Sequence, residues 1–171
     1  MKLTVRKMVI LSLMMAIAVV VNMVESMIPI IPGTAFKIGF ANIIILIVCF
    51  AYGPVEGIVV GVFRIFIVGL LSPSGFGPAF MLSLSGGVFS IITVVLFRLI
   101  NKFSIVAVSI ISSVMHVFGQ LLAASLLFSD VVVFYAPIML VLSVPAGVLT
   151  GILASRFLKI SEGWFTESKE V

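Results

Sequence analysis

Seven polar side chains stand out because they lie within or beside long apolar runs of the sequence. They comprise two cations, one carboxylate, three amides and one imidazole: Asn22, Glu25, Lys37, Asn42, Arg64, His116 and Gln120. Such groups are costly inside a membrane, where they commonly mark a functional site. Guanidinium and ammonium groups bind carboxylates and phosphates. We therefore expect Arg64 and Lys37 to hold an anionic or polar group, with Glu25, Asn42, His116 and Gln120 setting specificity and Asn22 beside them.

The composition around these residues indicates an integral membrane protein. The chain is 63% hydrophobic and only 9% charged, whereas a soluble domain carries about 25% charged residues. Cys49 is the only cysteine, which excludes an internal disulfide. One histidine with one nearby glutamate is too small a ligand set for a metal site. We expect no metal and no cofactor.

Six segments are long and apolar enough to be membrane spans, which need about 20 mainly apolar residues. They are residues 8–28, 36–52, 54–71, 79–97, 105–128 and 134–157. Proline, glycine and polar residues separate them, as expected of turns. The first run resembles a signal peptide but lacks a small-residue cleavage pattern, so we expect it to be retained. The sequence predicts one all-α transmembrane domain over residues 1–171, a compact six-helix bundle with residues 158–171 as an interfacial tail.

The distribution of positive charge predicts the orientation of this bundle. If the N-terminus is inside and there are six spans, nearly all cations lie on the cytoplasmic side: Lys2, Arg6, Lys7, Arg98, Lys102, Arg156, Lys159 and Lys169. Only Lys37 then falls in an outer loop. Because cytoplasmic loops carry the excess of Lys and Arg, this asymmetry favours two cytoplasmic termini in a cell membrane. Glu56 would open the third helix, where the helix dipole favours an anion.

Counting residues along each span brings the seven polar groups to the middle and outer half of the bundle. Arg64 lies about ten residues into the third span, which at about 1.5 Å per residue is near the bilayer centre. Gly57 and Gly61 share its face, so we expect Arg64 to point into the bundle. The outer loops at residues 29–36 and 72–78 could act as lids or be plain turns. The alternative for the whole set is structural, with each polar group satisfying a neighbouring helix and Glu25 pairing with Arg64.

The chain carries no recognisable means of catalysis. A prenyl transferase needs aspartate-rich clusters to hold magnesium, and Asp130 is the only aspartate here. The sequence contains no P-loop and no serine or cysteine nucleophile with an ordered base. We therefore predict no catalytic residues and no enzyme activity.

Several short motifs resemble the Gx transporter family, also called heptaprenyl diphosphate synthase component I. The longest runs from Glu25-Ser26 through Ile28-Pro29, Pro32-Gly33, Lys37 and Gly39 to Ala41-Asn42. The others are Tyr52-Gly53-Pro54-x-Glu56, Arg64, Leu71-Ser72-Pro73-Ser74, Leu82-Ser83-Leu84-Ser85-Gly86-Gly87 and His116-x-x-Gly119-Gln120. Together they cover nearly the whole chain, from the first span to the sixth.

The resemblance implies two functions that differ in class. Members are similar in size and hydropathy to the substrate-binding S components of energy-coupling factor (ECF) transporters, which implies uptake of a vitamin or an anionic or prenylated precursor across a bacterial inner membrane. A transmembrane coupling subunit with ATPases would then be the partner, although many S components carry Ala-x-x-x-Ala where this chain has Ser12-x-x-x-Ala16. The component I name implies instead a non-catalytic accessory of a prenyl transferase in quinone biosynthesis. The polar groups at one depth favour uptake, with the accessory role as the alternative; neither implies a nucleic-acid partner.

Overall fold

The described part of the chain folds as α-helices joined by short connections. The computed structural model describes residues 4–28, 37, 39–128 and 131–161, without the side chains of residues 131–133. The helices are α1 (Val5–Met27), α2 (Asn42–Ala51), α3 (Pro54–Leu71), α4 (Pro78–Ile100), α5 (Ile105–Phe128) and α6 (Val131–Ile160). Five of these six helices, all except α2, are long and apolar enough to cross a membrane. This is the architecture of an all-helical, multi-pass membrane protein.

The ends of the helices follow from local sequence. The Thr4 side chain accepts a hydrogen bond from the Lys7 backbone N–H at 3.4 Å and caps α1. Pro54 and Pro78 stand in the first turns of α3 and α4, where a missing N–H costs nothing. Asn101 ends α4 in the left-handed conformation, at φ 53°. The bounds predicted for the third and fifth spans agree with α3 and α5, and α1, α4 and α6 differ from prediction by a few residues at their ends.

The second predicted span, residues 36–52, is too long. Helix α2 has 10 residues, so it extends about 15 Å, half the thickness of a hydrocarbon core of about 30 Å. The described residues before it, Lys37 and 39–41, are not helical. Their backbone groups bond to side chains of α1 and α5 instead of continuing the helix. The six-span count is therefore not confirmed.

Helix α2 forms the centre of the bundle, because seven of its ten residues are buried and none is exposed. On one side, Val48 packs in a cluster with Met14 of α1 and Val60 of α3. On the other, Leu46 and Ile47 pack in a second cluster. That cluster also contains Val94 of α4, Val108 of α5 and Ala154 of α6. A short, very apolar helix thus joins α1 and α3 to the other three helices.

Helices α4, α5 and α6 pack with their backbones unusually close. A Cβ atom on Gly119 would lie 2.8 Å from the Ser85 carbonyl oxygen, and one on Gly147 would lie 2.7 Å from the Ile110 Cα. Hydroxyl pairs also join these helices: Ser90 with Ser112 and Ser109 with Thr150. Small residues and hydroxyl hydrogen bonds of this kind hold transmembrane helices together. Close backbone contacts and hydroxyl hydrogen bonds therefore hold α4, α5 and α6 together.

The two ends of the bundle differ in charge. The end that we call the basic end carries the cations Lys7, Arg98, Lys102, Arg156 and Lys159. There Glu56 lies in the first turn of α3, as predicted, and its carboxylate is 2.6 Å from the Lys7 Nζ. The opposite end, the pocket end, contains the end of α1 and the 72–77 connection. The predicted lid at residues 29–36 and the predicted tail beyond residue 161 lie outside the described residues.

Candidate functional site

A cavity of about 410 Å³ opens at the pocket end, between α1, α3, the start of α4 and the 72–77 connection. This volume lies within the usual range for small-molecule sites. The polar residues among those that line it are Asn22, Glu25, Ser26, Lys37, Ser72, Ser74 and Ser83. Its apolar wall includes Met23, Ile65, Val68 and Phe80. The cavity is thus mixed in character, with its charged groups on one side.

Lys37 is the cation of this cavity, and it is 8% exposed. Its Nζ donates a hydrogen bond to Asn22 Oδ1 at 3.0 Å. Burial in the connection between α1 and α2 lowers the pKa of Lys37; the Glu25 charge opposes that shift and the Arg64 charge adds to it. An ammonium group has three N–H donors, so two remain after the bond to Asn22 as far as the described residues are concerned. Lys37 can therefore donate to an acceptor in the cavity.

Gln120 fixes the backbone from which Lys37 projects. Its Oε1 accepts the Lys37 backbone N–H at 3.1 Å, and its Nε2 donates to the Lys37 carbonyl at 3.0 Å. The same Nε2 lies 2.6 Å from His116 Nε2. An amide nitrogen can only donate, so His116 Nε2 must accept, and we assign the proton of the neutral ring to Nδ1. His116 Nδ1 is buried and makes no hydrogen bond within the described residues.

Glu25 forms hydrogen bonds with the backbone of the residues that follow Lys37. One of its carboxylate oxygens, Oε1, accepts the backbone N–H groups of Gly39 and of Phe40, the latter at 3.1 Å. The other, Oε2, is buried and makes no hydrogen bond within the described residues. Gly39 has φ +92°, and a Cβ there would lie 2.8 Å from His116 Cδ2. Only glycine meets both conditions.

Arg64 lies deep in the bundle, 1% exposed, and donates to Asn42 Oδ1 at 3.3 Å. The Glu25–Arg64 ion pair that we considered as an alternative is not formed between these two described side chains, because Glu25 binds backbone and Arg64 binds Asn42. Arg64 Nε and Asn42 Nδ2 make no hydrogen bond within the part of the chain that the structure describes. Arg64 does not line the cavity.

The structure divides the seven predicted residues into two groups. Asn22, Glu25 and Lys37 line the cavity. The other four lie in the buried network beside its wall: Asn42, Arg64, His116 and Gln120. Within the described residues, the side chains of these four form hydrogen bonds with one another or with the backbone of Lys37. Binding of a ligand by any of the seven stays a prediction.

Some cavity residues carry no sequence signal. Ile65, Val68 and Phe80 form much of the apolar wall, yet the chain contains so many apolar residues that nothing singles these out. The 72–78 loop was predicted as a lid or a turn, and Ser72 and Ser74 of that loop line the cavity. Among the described residues, no group of three or more His, Cys, Asp or Glu side chains could hold a metal ion.

A comparison with protein families gives one match. The model of the family described as heptaprenyl diphosphate synthase component I matches residues 14–157. The matched stretch takes in α2 to α5 entirely and most of α1 and α6. Searches of curated proteins and of solved structures found no match.

Proposed function

The chain belongs to the heptaprenyl diphosphate synthase component I family, and from this we propose that it is the non-catalytic membrane subunit of a polyprenyl diphosphate synthase in quinone biosynthesis. The observation that carries the proposal is the extent of the family match, residues 14–157, which includes both the basic end and the pocket end. A separate prenyl transferase subunit is the partner. Its role is the condensation itself, and the role of this chain is to hold that subunit at the membrane.

The assignment of chemistry to the partner follows from what prenyl transfer requires. Ionising an allylic diphosphate needs Mg²⁺, which carboxylates hold. Asp130 is the only aspartate of the chain, and Glu56 is paired with Lys7. Glu25 holds backbone N–H groups. Among the described residues, no group of three or more His, Cys, Asp or Glu side chains comes together, which supports an accessory role.

The proposed orientation places both termini and the basic end in the cytoplasm of a bacterial cell. Its support is the positive-inside rule, because the described cations apart from Lys37 and the buried Arg64 lie at one end. In this orientation, helix α2 crosses only half of the membrane: it begins inside the hydrocarbon core and ends at the basic end. Irregular backbone such as residues 39–41 is tolerated at that depth where protein surrounds it. A soluble partner would meet the exposed cations Lys102, Arg156 and Lys159.

Purification of the tagged full chain in a mild detergent from its own cells tests the proposal. We expect a long-chain prenyl transferase to be recovered with it. Replacing both Lys102 and Arg156 by glutamine should reduce that recovery, because a cationic surface would lose two charges. The double variant Lys102→Arg with Arg156→Lys keeps the charge and should retain the partner. Recovery of no prenyl transferase would contradict the proposal.

A second candidate, uptake of a small molecule as an S-component-like binding subunit, is favoured by one observation. The cavity lies at the end opposite the basic end, which in the proposed orientation faces outside the cell. A vitamin or an anionic or prenylated precursor would enter there, and separate ATPase subunits with a transmembrane coupling subunit would drive its release. Recovery of ATPases instead of a prenyl transferase in the same purification would support this candidate.

A further inference from the structure

We infer that the cavity at the pocket end binds a small amphiphile whose head group combines one negative charge with a hydrogen-bond donor. The inference goes beyond the synthase partnership, which concerns the opposite end of the bundle. It specifies the class of ligand that the uptake candidate requires. Three features of the site lead to it: the division of the cavity wall, the sum of the buried charges and a carboxylate oxygen that makes no hydrogen bond among the described residues.

The division of the wall determines the shape of the ligand. Ile65, Val68 and Phe80 form an apolar surface on α3 and α4, whereas Glu25 and Lys37 stand on the other side. Phe80 is fixed by edge contact with Phe76, with ring centroids 4.8 Å apart. A ligand that fills about 410 Å³ must therefore present an apolar body to α3 and α4 and a polar head to α1.

The sum of the charges determines the charge of the head. Lys37 and Glu25 line the cavity, and Arg64 lies in the buried network beside it. Two cationic side chains and one carboxylate carry one net positive charge. His116 is neutral in the tautomer that its contact with Gln120 requires. Uncompensated charge is costly in a low-dielectric site. A head with a single negative charge balances it, and a diphosphate leaves an excess of negative charge beside Glu25.

The second carboxylate oxygen of Glu25 determines why the ligand needs a hydrogen-bond donor. Glu25 Oε1 is occupied by two backbone N–H groups, whereas Oε2 is buried and makes no hydrogen bond within the described residues. An ionised carboxylate only accepts hydrogen bonds. A ligand N–H or O–H directed at Oε2 would satisfy it, while the ligand's acid group takes the remaining N–H donors of Lys37. Acid and donor must therefore stand close together on the ligand.

Four probes separate these requirements. N-octanoylglycine has a carboxylate, an amide N–H and an apolar chain. N-octanoylsarcosine has an N-methyl group in place of the N–H, N-octanoylglycinamide has a neutral primary amide in place of the carboxylate, and geranyl diphosphate carries excess charge. Binding is measured by equilibrium dialysis against the full chain in lipid nanodiscs, with empty nanodiscs subtracted. We expect saturable binding of N-octanoylglycine, with a Kd about tenfold or more below those of the other three, since a hydrogen bond to a charged group supplies about that factor.

Variants link the preference to the two side chains. Glu25→Gln retains an oxygen for Gly39 and Phe40 but turns an N–H toward the ligand. The preference for N-octanoylglycine over N-octanoylsarcosine should then disappear, and geranyl diphosphate should bind more tightly. Lys37→Met should abolish the preference for N-octanoylglycine over the uncharged amide. Glu56→Gln makes the same chemical change at the basic end and should leave all four affinities unchanged.

Three results would overturn the inference. They are equal or tighter binding of geranyl diphosphate by the unmodified chain, an unaltered glycine-to-sarcosine ratio in Glu25→Gln, and no saturable binding of any probe. A thermal unfolding curve for each variant separates loss of the fold from loss of selectivity. None of these results bears on recovery of a prenyl transferase, so the inference and the synthase proposal can fail independently.

Discussion

At the scale of single residues, the structure separates the polar residues that line the cavity from those buried beside it, a distinction that polarity alone does not make. The sequence identifies the seven polar residues because each is expensive in an apolar chain. It cannot separate those that line the cavity from those that support it. The sequence indicates Arg64 as an anion-binding residue, but its Nη1 is 3.3 Å from Asn42 Oδ1 and the lining of the cavity does not include it. Such a distinction depends on side-chain directions across helices that are distant in sequence.

Gln120 should be important for stability through the Lys37 backbone. Gln120→Met preserves length but leaves the buried N–H and C=O of Lys37 without their partner. Each unsatisfied group costs about 1–3 kcal/mol, so the two together predict a loss of about 2–6 kcal/mol. Thermal unfolding in detergent measures it. Ser125→Ala on the same helix removes an exposed hydroxyl that donates to the Leu122 carbonyl and should have little effect. An equal effect of both substitutions would refute the role given to Gln120.

Gly39 should not tolerate any side chain. Gly39→Ala combines a left-handed backbone, φ +92°, with a Cβ 2.8 Å from His116 Cδ2. The backbone strain alone costs about 1–2 kcal/mol, and displacement of His116 would also disturb Gln120. We expect lower thermal stability together with weaker binding of N-octanoylglycine. If His116→Ala in the same chain relieved neither defect, the contact between Gly39 and His116 would not be their cause.

At the scale of elements, the sequence predicted five helices well and one poorly. Long apolar runs bounded by proline, glycine or asparagine determine α1, α3, α4, α5 and α6 within a few residues. The α2 region is just as apolar, and residues 36–52 look like a full span. Its helix begins only at Asn42, because Glu25 and Gln120 bond to the backbone ahead of it. These bonds connect residues 14 to 83 positions apart, so periodicity could not reveal them.

Packing of α5 against α6 should depend on glycines at their crossing. Gly147→Ala places a methyl group 2.7 Å from the Ile110 Cα, a backbone atom that cannot turn away. Overpacking of this kind costs about 1–3 kcal/mol, which thermal unfolding would detect. Gly75→Asn is the comparison, because nothing lies within 4 Å of its Cβ and asparagine tolerates φ +54°. A larger loss for Gly75→Asn than for Gly147→Ala would contradict this account of the bundle.

At the scale of the whole molecule, the two ends serve different roles in our proposal. The basic end faces the cytoplasm and the partner, and the pocket end faces outward. Ser74→Cys and Lys102→Cys place single thiols on exposed positions of opposite ends, and the native Cys49 is buried. In intact cells, a membrane-impermeant maleimide should label Ser74→Cys and not Lys102→Cys. The reverse pattern would invert the proposed topology.

The central claim is the partnership with a prenyl transferase, and product analysis tests it most directly. The prenyl transferase recovered with the chain is assayed with farnesyl and isopentenyl diphosphates, once with the chain in nanodiscs and once with empty nanodiscs. We predict that the chain raises the yield and alters the length distribution of the polyprenyl products, because the partner works on a growing apolar chain at the membrane. Identical yield and product length in the two assays would contradict the proposed function.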